Sequence, residues 1–410
     1  MLKTIDWVKK VLLDTLRIPS ISPSGEKYGE IVEVYKSYLK EIGLKVEVHR
    51  VPQELVDKLC PPEAKGNPRF IVIGRVGDGK PIIHFNGHYD VVPGGSGWTV
   101  TDPFKPIELE GKIYGRGATD MKGGIAAALG AIRDSIETVE KAGGTLEIAL
   151  VPDEEIGGET GTGYLLEAEL VHPDYIIISE PSTLQRIYIG HKGVLWINVT
   201  VKGTAAHGST PWLGVNAFEK MIYVAKAFIE EYKAIIERKK SKYNYELPEG
   251  AKPTINLGGV LKSIDKVNVV PDSVSFSIDR RLIIEEDVKN VKNEITKFID
   301  KLKAKDPSLN IELNFTQESN PVFIGEDAEI VRIIKKASYE ILGVEAKPIV
   351  CIGGLDMRYY VSKGFKNVVT YGPGVLKKAH SADEYVEIED LSRAIEVYKH
   401  VISKILSIKS

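Results

Sequence analysis

The chain has only two cysteines, Cys60 and Cys351, in 410 residues. That is too few for a disulfide framework or a zinc–thiolate site. It carries no strong charge of either sign: the formal net charge is -3 and the pI is near 6.3. Neither nucleic acid nor an anionic membrane surface is therefore expected as a partner. No apolar run approaches the roughly 18 residues that a membrane helix needs. Met1 to Arg17 reads as an amphipathic helix carrying acids as well as lysines, not as a signal peptide. Internal repeats and low-complexity runs are missing as well. Glutamine, cysteine and methionine are scarce while lysine, glutamate and isoleucine abound, a composition that leans towards a thermophilic source. A cytoplasmic protein is expected.

What remains is an ordinary globular composition, with 43% hydrophobic and 27% charged residues. The length exceeds what one core usually serves, so two domains are expected. Helical periodicity covers Thr4 to Leu16 and Lys27 to Ile42, and Leu44 to Val48 alternates as a strand. Residues 52 to 68, with four prolines, read as a surface loop. Strands follow at Phe70 to Val76 and Pro81 to Phe85, with Gly77-Asp78-Gly79 as the turn between them. The alternation continues through helix Lys122 to Lys141 and strands Leu146 to Val151 and Tyr175 to Ser179. This order predicts an α/β fold, a mainly parallel sheet with helices on both faces.

Near residue 190 the pattern changes. A β-α-β-β-α-β order runs from Val194 to Thr316, the ferredoxin-like split βαβ arrangement. The long helix Leu213 to Lys239 lies within it, and Ser241 to Ala251 reads as an exposed extension. Doubly wound periodicity then resumes to the C-terminus. The expected organisation is a large domain from 1–189 and 319–410, interrupted by a smaller inserted domain at 190–318.

The chemistry gathers at strand ends. His88 and Asp90 follow the buried run Ile82-Ile83-His84-Phe85, where ligands bind in open α/β sheets. A His-x-Asp pair lets the histidine take a metal while the aspartate fixes its tautomer, although alone it reads equally well as a polar loop. Asp120 precedes a helix, Glu154 and Glu155 follow one strand, Glu180 follows another, and His380 lies beyond a third. Histidine and carboxylate ligation of this kind suits zinc, with cobalt or manganese as alternatives.

The blocks Gly87-His88-Tyr89-Asp90, Gly115 to Gly124, Asp153-Glu154-Glu155-Ile156-Gly157-Gly158 and Ser179-Glu180-Pro181 resemble the M20 family of co-catalytic metallopeptidases and deacylases. That family takes in acetylornithine deacetylase, succinyl-diaminopimelate desuccinylase, aminoacylase-1 and the glutamate carboxypeptidases. Lys202 to Ser209 is similar to its lid block, and Gly372 through His380 to Glu384 to its C-terminal block.

The resemblance implies a zinc-exopeptidase-like catalytic domain with a lid and dimerisation domain. It implies two zinc ions per subunit: His88 and Glu180 would hold one, Glu155 and His380 the other, and Asp120 would bridge them. Glu154 would be the general base, with Asp90 orienting His88. The Asp120-Met121 peptide would be cis. His207 would supply an oxyanion donor to the partner subunit of a homodimer. Arg281, Asn268 and Gly354 would contact substrate, leaving Arg280 as a surface charge. Leu355 departs from the family's usual hydroxyl residue and implies a more apolar pocket. His84, His172, His191 and His400 read as structural or exposed, and Arg238-Lys239-Lys240 as a solvated helix end. The expected reaction is zinc-dependent hydrolysis of an amide bond in N-acyl amino acids or short peptides. A strict biosynthetic deacylase acting on N-succinyl-diaminopimelate or N-acetylornithine is the alternative. A non-catalytic binding protein on the same fold is a third reading, which would have no need of Glu154.

Overall fold

A computed structural model describes residues 3–408; Met1 and Leu2, the start of the first predicted helix, lie outside the described residues. The chain forms two compact units. The first comprises the N-terminal stretch to Ile189, then Ile324–Pro348, then the chain from Leu355 onward. The second comprises Gly190–Phe323 and Ile349–Gly354.

In the first unit the strand order is Lys45–Arg50, Phe70–Gly77, Thr145–Val151, Ile82–His88, Tyr175–Ile178, Val368–Thr370, Arg186–His191. The middle pairs are parallel and the outer ones antiparallel. The sheet is therefore mixed, with its parallel portion in the centre. That placement follows from composition. Thr145–Val151 and Tyr175–Ile178 are buried along their whole length, as strands covered on both faces must be. Phe70–Gly77 and Ile82–His88 do not pair with each other, because Thr145–Val151 lies between them.

Helix Lys122–Ala142 packs against Thr4–Leu16 and the terminal helix Ile388–Ser407. It begins with two glycines for a steric reason: a Cβ on Gly124 would fall on the Ser179 carbonyl. Its first turn therefore reaches the end of strand Tyr175–Ile178. Gly143, at φ 68° in the left-handed region, ends the helix. The expected surface loop at 52–68 instead holds helix Gln53–Leu59 and a short turn at Pro62–Ala64. Val56 and Ala64 bury themselves there against Val51. Pro52 precedes the helix, Pro61 and Pro62 open the turn and Pro68 follows it, so none interrupts an element. No helix among the described residues is long and apolar enough to cross a membrane.

The second unit has an antiparallel sheet in the order Thr254–Lys262, Ser273–Leu282, Gly193–Lys202, Asn310–Ser319. This is the ferredoxin-like strand order. Leu195, Ile197, Val199 and Val201 alternate onto one face with Phe276 and Ile278. They form a core with Val224 and Phe228, beside Ile295 and Phe298 of helix Val288–Lys305. Asn216 caps helix Ala217–Ala227 by accepting from Phe218 N at 2.9 Å and Glu219 N at 3.3 Å. The helix thus starts later than Leu213.

The 241–251 segment is not an exposed extension. Tyr245 and Ala251 are buried with Ile283 and Val350, and the Tyr245 hydroxyl accepts the Ile284 N–H at 3.0 Å. Lys239 is not simply solvated, since it pairs with Glu286 at 2.9 Å and Glu294 at 2.7 Å. Arg280 is likewise no surface charge. It shares the inward face with Phe276 and Ile278, is fully buried, and reaches Glu286 at 2.5 Å. Arg280→Ala should lower unfolding stability by about 3 kcal/mol, as loss of one partner of a buried pair does. Arg281→Ala should stay within about 0.5 kcal/mol. Urea denaturation of the two variants checks the contrast.

Candidate metal centre

Three parallel strands of the first unit end at the same edge. His88 closes Ile82–His88, Glu154 and Glu155 follow Thr145–Val151, and Glu180 follows Tyr175–Ile178. Asp120 comes from the loop before helix Lys122–Ala142, and His380 from a loop near the C-terminus. His88 Nε2 lies 3.1 Å from Asp120 Oδ1. The other Asp120 oxygen lies 3.4 Å from His380 Nε2, which is 3.0 Å from Glu155 Oε1. Asp120 therefore stands between the two histidines with one oxygen towards each. Candidate ligand atoms of His88, Glu154 and Glu180 lie within 4.8 Å of one another, as do those of His88, Asp120 and Glu155. The Asp120-Met121 peptide is cis, in keeping with the family resemblance.

The electrostatics describe a cluster short of positive charge. Burial, then repulsion from Glu180, pushes the Glu154 carboxyl well above the usual range. Burial and Asp120 do the same to Glu180. Glu155 is pushed up to about 6, chiefly by burial. Burial also opposes ionisation of Asp120, yet hydrogen bonds from His380 and His88 outweigh it and hold the carboxyl low. His380 is raised to about 10 by its bonds to Asp120 and Glu155. The Glu180 Oε1 atom is buried without a hydrogen-bond partner among the described residues. An unpartnered buried oxygen costs free energy unless something satisfies it. Crowded carboxylates and two imidazoles are the donor set for hard or borderline divalent cations. The residues present fit a metal pair.

Asp90 differs in detail from the expected orienter. His88 Nδ1 lies 3.0 Å from the Asp90 backbone carbonyl, and the nearer carboxylate oxygen is at 3.5 Å. The Asp90 carboxylate instead accepts the backbone N–H of Glu154 and of Glu155, each at 3.2 Å. It thus ties the histidine strand to the glutamate turn.

Supporting residues that sequence reasoning did not single out surround this edge. Buried Glu384 accepts from Arg116 at 2.6 Å and from the N–H groups of Gly117, Thr119 and Asp120 at 3.0, 3.0 and 3.1 Å. It shapes the loop that carries Asp120. Asp356, also buried, accepts from Thr162 Oγ1 at 2.6 Å. Arg358 and Tyr359 donate to the Gly157 carbonyl. Glu384 ends the C-terminal block already noted and Asp356 lies two residues after Gly354, which was their only sequence signal.

The remaining predicted residues belong to the second unit. His207 pairs with Val269 in a two-residue ladder and is exposed. Gly208 N donates to the Asn268 carbonyl at 2.9 Å. Arg281 is partly buried and forks onto Asp279 at 2.8 and 3.1 Å. Gly354 is partly buried. Leu355, in the first unit, is buried, so an apolar pocket cannot be credited to its exposed surface.

The sequence matches the family model described as peptidase family M20/M25/M40 over residues 84–404. An uncharacterized metallohydrolase of Methanocaldococcus jannaschii is 32% identical, covering 97% of this chain and 99% of that one. A probable succinyl-diaminopimelate desuccinylase of Staphylococcus aureus is 29% identical over 83% of this chain and 87% of its own. The solved M20 family metallo-carboxypeptidase of Sulfolobus solfataricus shares the fold with a TM-score of 0.77 at 21% identity, covering 98% of this chain and 99% of that one. A dinuclear metal binding peptidase of Bacillus subtilis does so at 0.69 and 16%, over 98% and 99%. The chain belongs to peptidase family M20/M25/M40 and is a metallohydrolase.

Proposed function

We propose that the chain hydrolyses the amide bond of N-acyl amino acids or short peptides with two divalent metal ions, zinc first, cobalt or manganese as alternatives. The observation that carries this reading is Asp120, with one carboxylate oxygen towards His88 and the other towards His380. His88 and Glu180 would hold one ion and Glu155 and His380 the other, with Asp120 shared between them. When bound, such a pair supplies an activated water and polarises the scissile carbonyl.

The protein's own residues do the rest. Glu154 stays out of the ligand set, takes the proton of the attacking water and returns it to the leaving nitrogen. His207 Nδ1 accepts from Ser209 N at 3.1 Å. In the neutral ring its Nε2 then carries the hydrogen, which supports a donor role towards the developing oxyanion. Arg281 binds a substrate carboxylate, with Asn268 and Gly354 beside the substrate, and Asp279 holds the guanidinium in place until then.

The first unit is the catalytic domain and the second a lid and dimerisation domain. Trp212, Leu213, Phe218 and Ile222 are exposed, which supports a second copy covering that surface. If His207 serves the partner's site, mixing His207→Ala and Glu154→Gln chains should restore about a quarter of wild-type activity. Half the dimers are then mixed, and each has one complete site of two. No recovery after verified subunit exchange refutes the shared site.

The desuccinylase relative supports the narrower alternative, a dedicated deacylase. A panel of N-acetyl, N-succinyl and dipeptide substrates, with and without chelator, decides between them. Activity confined to one acyl group favours the dedicated enzyme. No metal-dependent hydrolysis of any compound overturns the reading.

A further inference from the structure

A further buried ion pair, Arg69–Asp153, lies behind the glutamates, outside the ligand set. Asp153, immediately before Glu154, adopts φ 63°, ψ 21°. Most residues avoid that left-handed region, and a short polar side chain such as aspartate's tolerates it when locally hydrogen-bonded. Three nitrogen and oxygen donors hold the Asp153 side chain, with Cys60 Sγ 3.7 Å from Oδ2 as well. Arg69 Nε donates to Oδ2 at 2.8 Å, Thr160 Oγ1 to the same oxygen at 2.6 Å, and the Tyr28 hydroxyl to Oδ1 at 2.9 Å. Gly158 N closes the turn on the Asp153 carbonyl at 2.7 Å.

Arg69 is fully buried, and each of its three guanidinium nitrogens donates a hydrogen bond. Beyond Asp153, the acceptors are the carbonyls of Ser24 at 3.2 Å, Asn67 at 3.0 Å and Pro23. Its guanidinium lies over the Tyr28 ring, 4.9 Å from the centroid. Stability alone does not account for such a pair, since apolar side chains of similar volume usually serve a core as well or better. What it provides is a fixed direction for the turn that follows.

We infer that Arg69, acting through Asp153 and seconded by Tyr28, is a positioning residue for Glu154 and Glu155. The inference rests on the proposed roles of those two glutamates. With the Arg69–Asp153 contact in place, the left-handed turn holds the base and its neighbouring ligand towards the centre. Without it, Asp153 relaxes and both side chains lose their aim.

The test is cobalt(II) titration of the metal-free full chain, followed visibly and by calorimetry, with Arg69→Met, Tyr28→Phe and Glu155→Gln beside wild type. Arg69→Met should bind one cobalt equivalent within twofold of wild type and the other about 10- to 100-fold more weakly, the usual scale for residues supporting metal ligands. At saturating cobalt its kcat should fall at least about tenfold on the best panel substrate while KM moves less than twofold. Both affinities and kcat within twofold of wild type overturn the inference, as does equal weakening of both equivalents. Should Arg69→Met fail to fold, Tyr28→Phe decides: a kcat loss of about threefold or more at unchanged KM supports the inference, and wild-type kcat overturns it. Glu155→Gln separates the layers. If it leaves both cobalt equivalents intact, the ligand assignment fails, whatever Arg69 does.

Discussion

Glu154→Gln should keep both metal ions and lose at least about a thousandfold in kcat, close to 4 kcal/mol of barrier. The substitution preserves size and removes only the capacity to take a proton. Glu154 lies near enough to His88 and Glu180 to be a ligand, so metal content and turnover must be read together. Two retained equivalents with lost turnover identify a base. One lost equivalent would make Glu154 a ligand, and the roles of the Glu154–Glu155 pair would be exchanged.

Asp120→Ala should abolish activity by weakening both metal equivalents, whereas His88→Ala and His380→Ala should each weaken one. Only a shared ligand is missed at both positions, and Asp120 contacts both histidines, one with each carboxylate oxygen. Metal analysis of dialysed protein reads the contrast. A full pair of ions in the Asp120 variant contradicts bridging.

The residues of the centre were legible because each follows a buried apolar strand or opens a glycine-rich helix. Parallel strands with continuous apolar runs collect their loop residues at one edge, whatever the exact pairing order. The order itself was hidden: nothing local tells Phe70–Gly77 to pair with Thr145–Val151 rather than with the strand that follows it. Helix Gln53–Leu59 was hidden by its prolines and by its length, under two turns. Arg280 was misread although its signal was present. It alternates with Phe276, Ile278 and Leu282, so it had to point inward, and inward burial demands an acid such as Glu286. The Asp90 contacts to Glu154 and Glu155, and the Arg69–Asp153 pair, join residues more than sixty positions apart. Local pattern carries no trace of such contacts.

Anomalous diffraction from crystals of the zinc-loaded protein tests the dimetal centre most directly. Two zinc peaks are predicted, one among His88, Asp120 and Glu180 and the other among Asp120, Glu155 and His380, with Glu154 coordinating neither. A single peak, or Glu154 bound to either ion, would contradict the account.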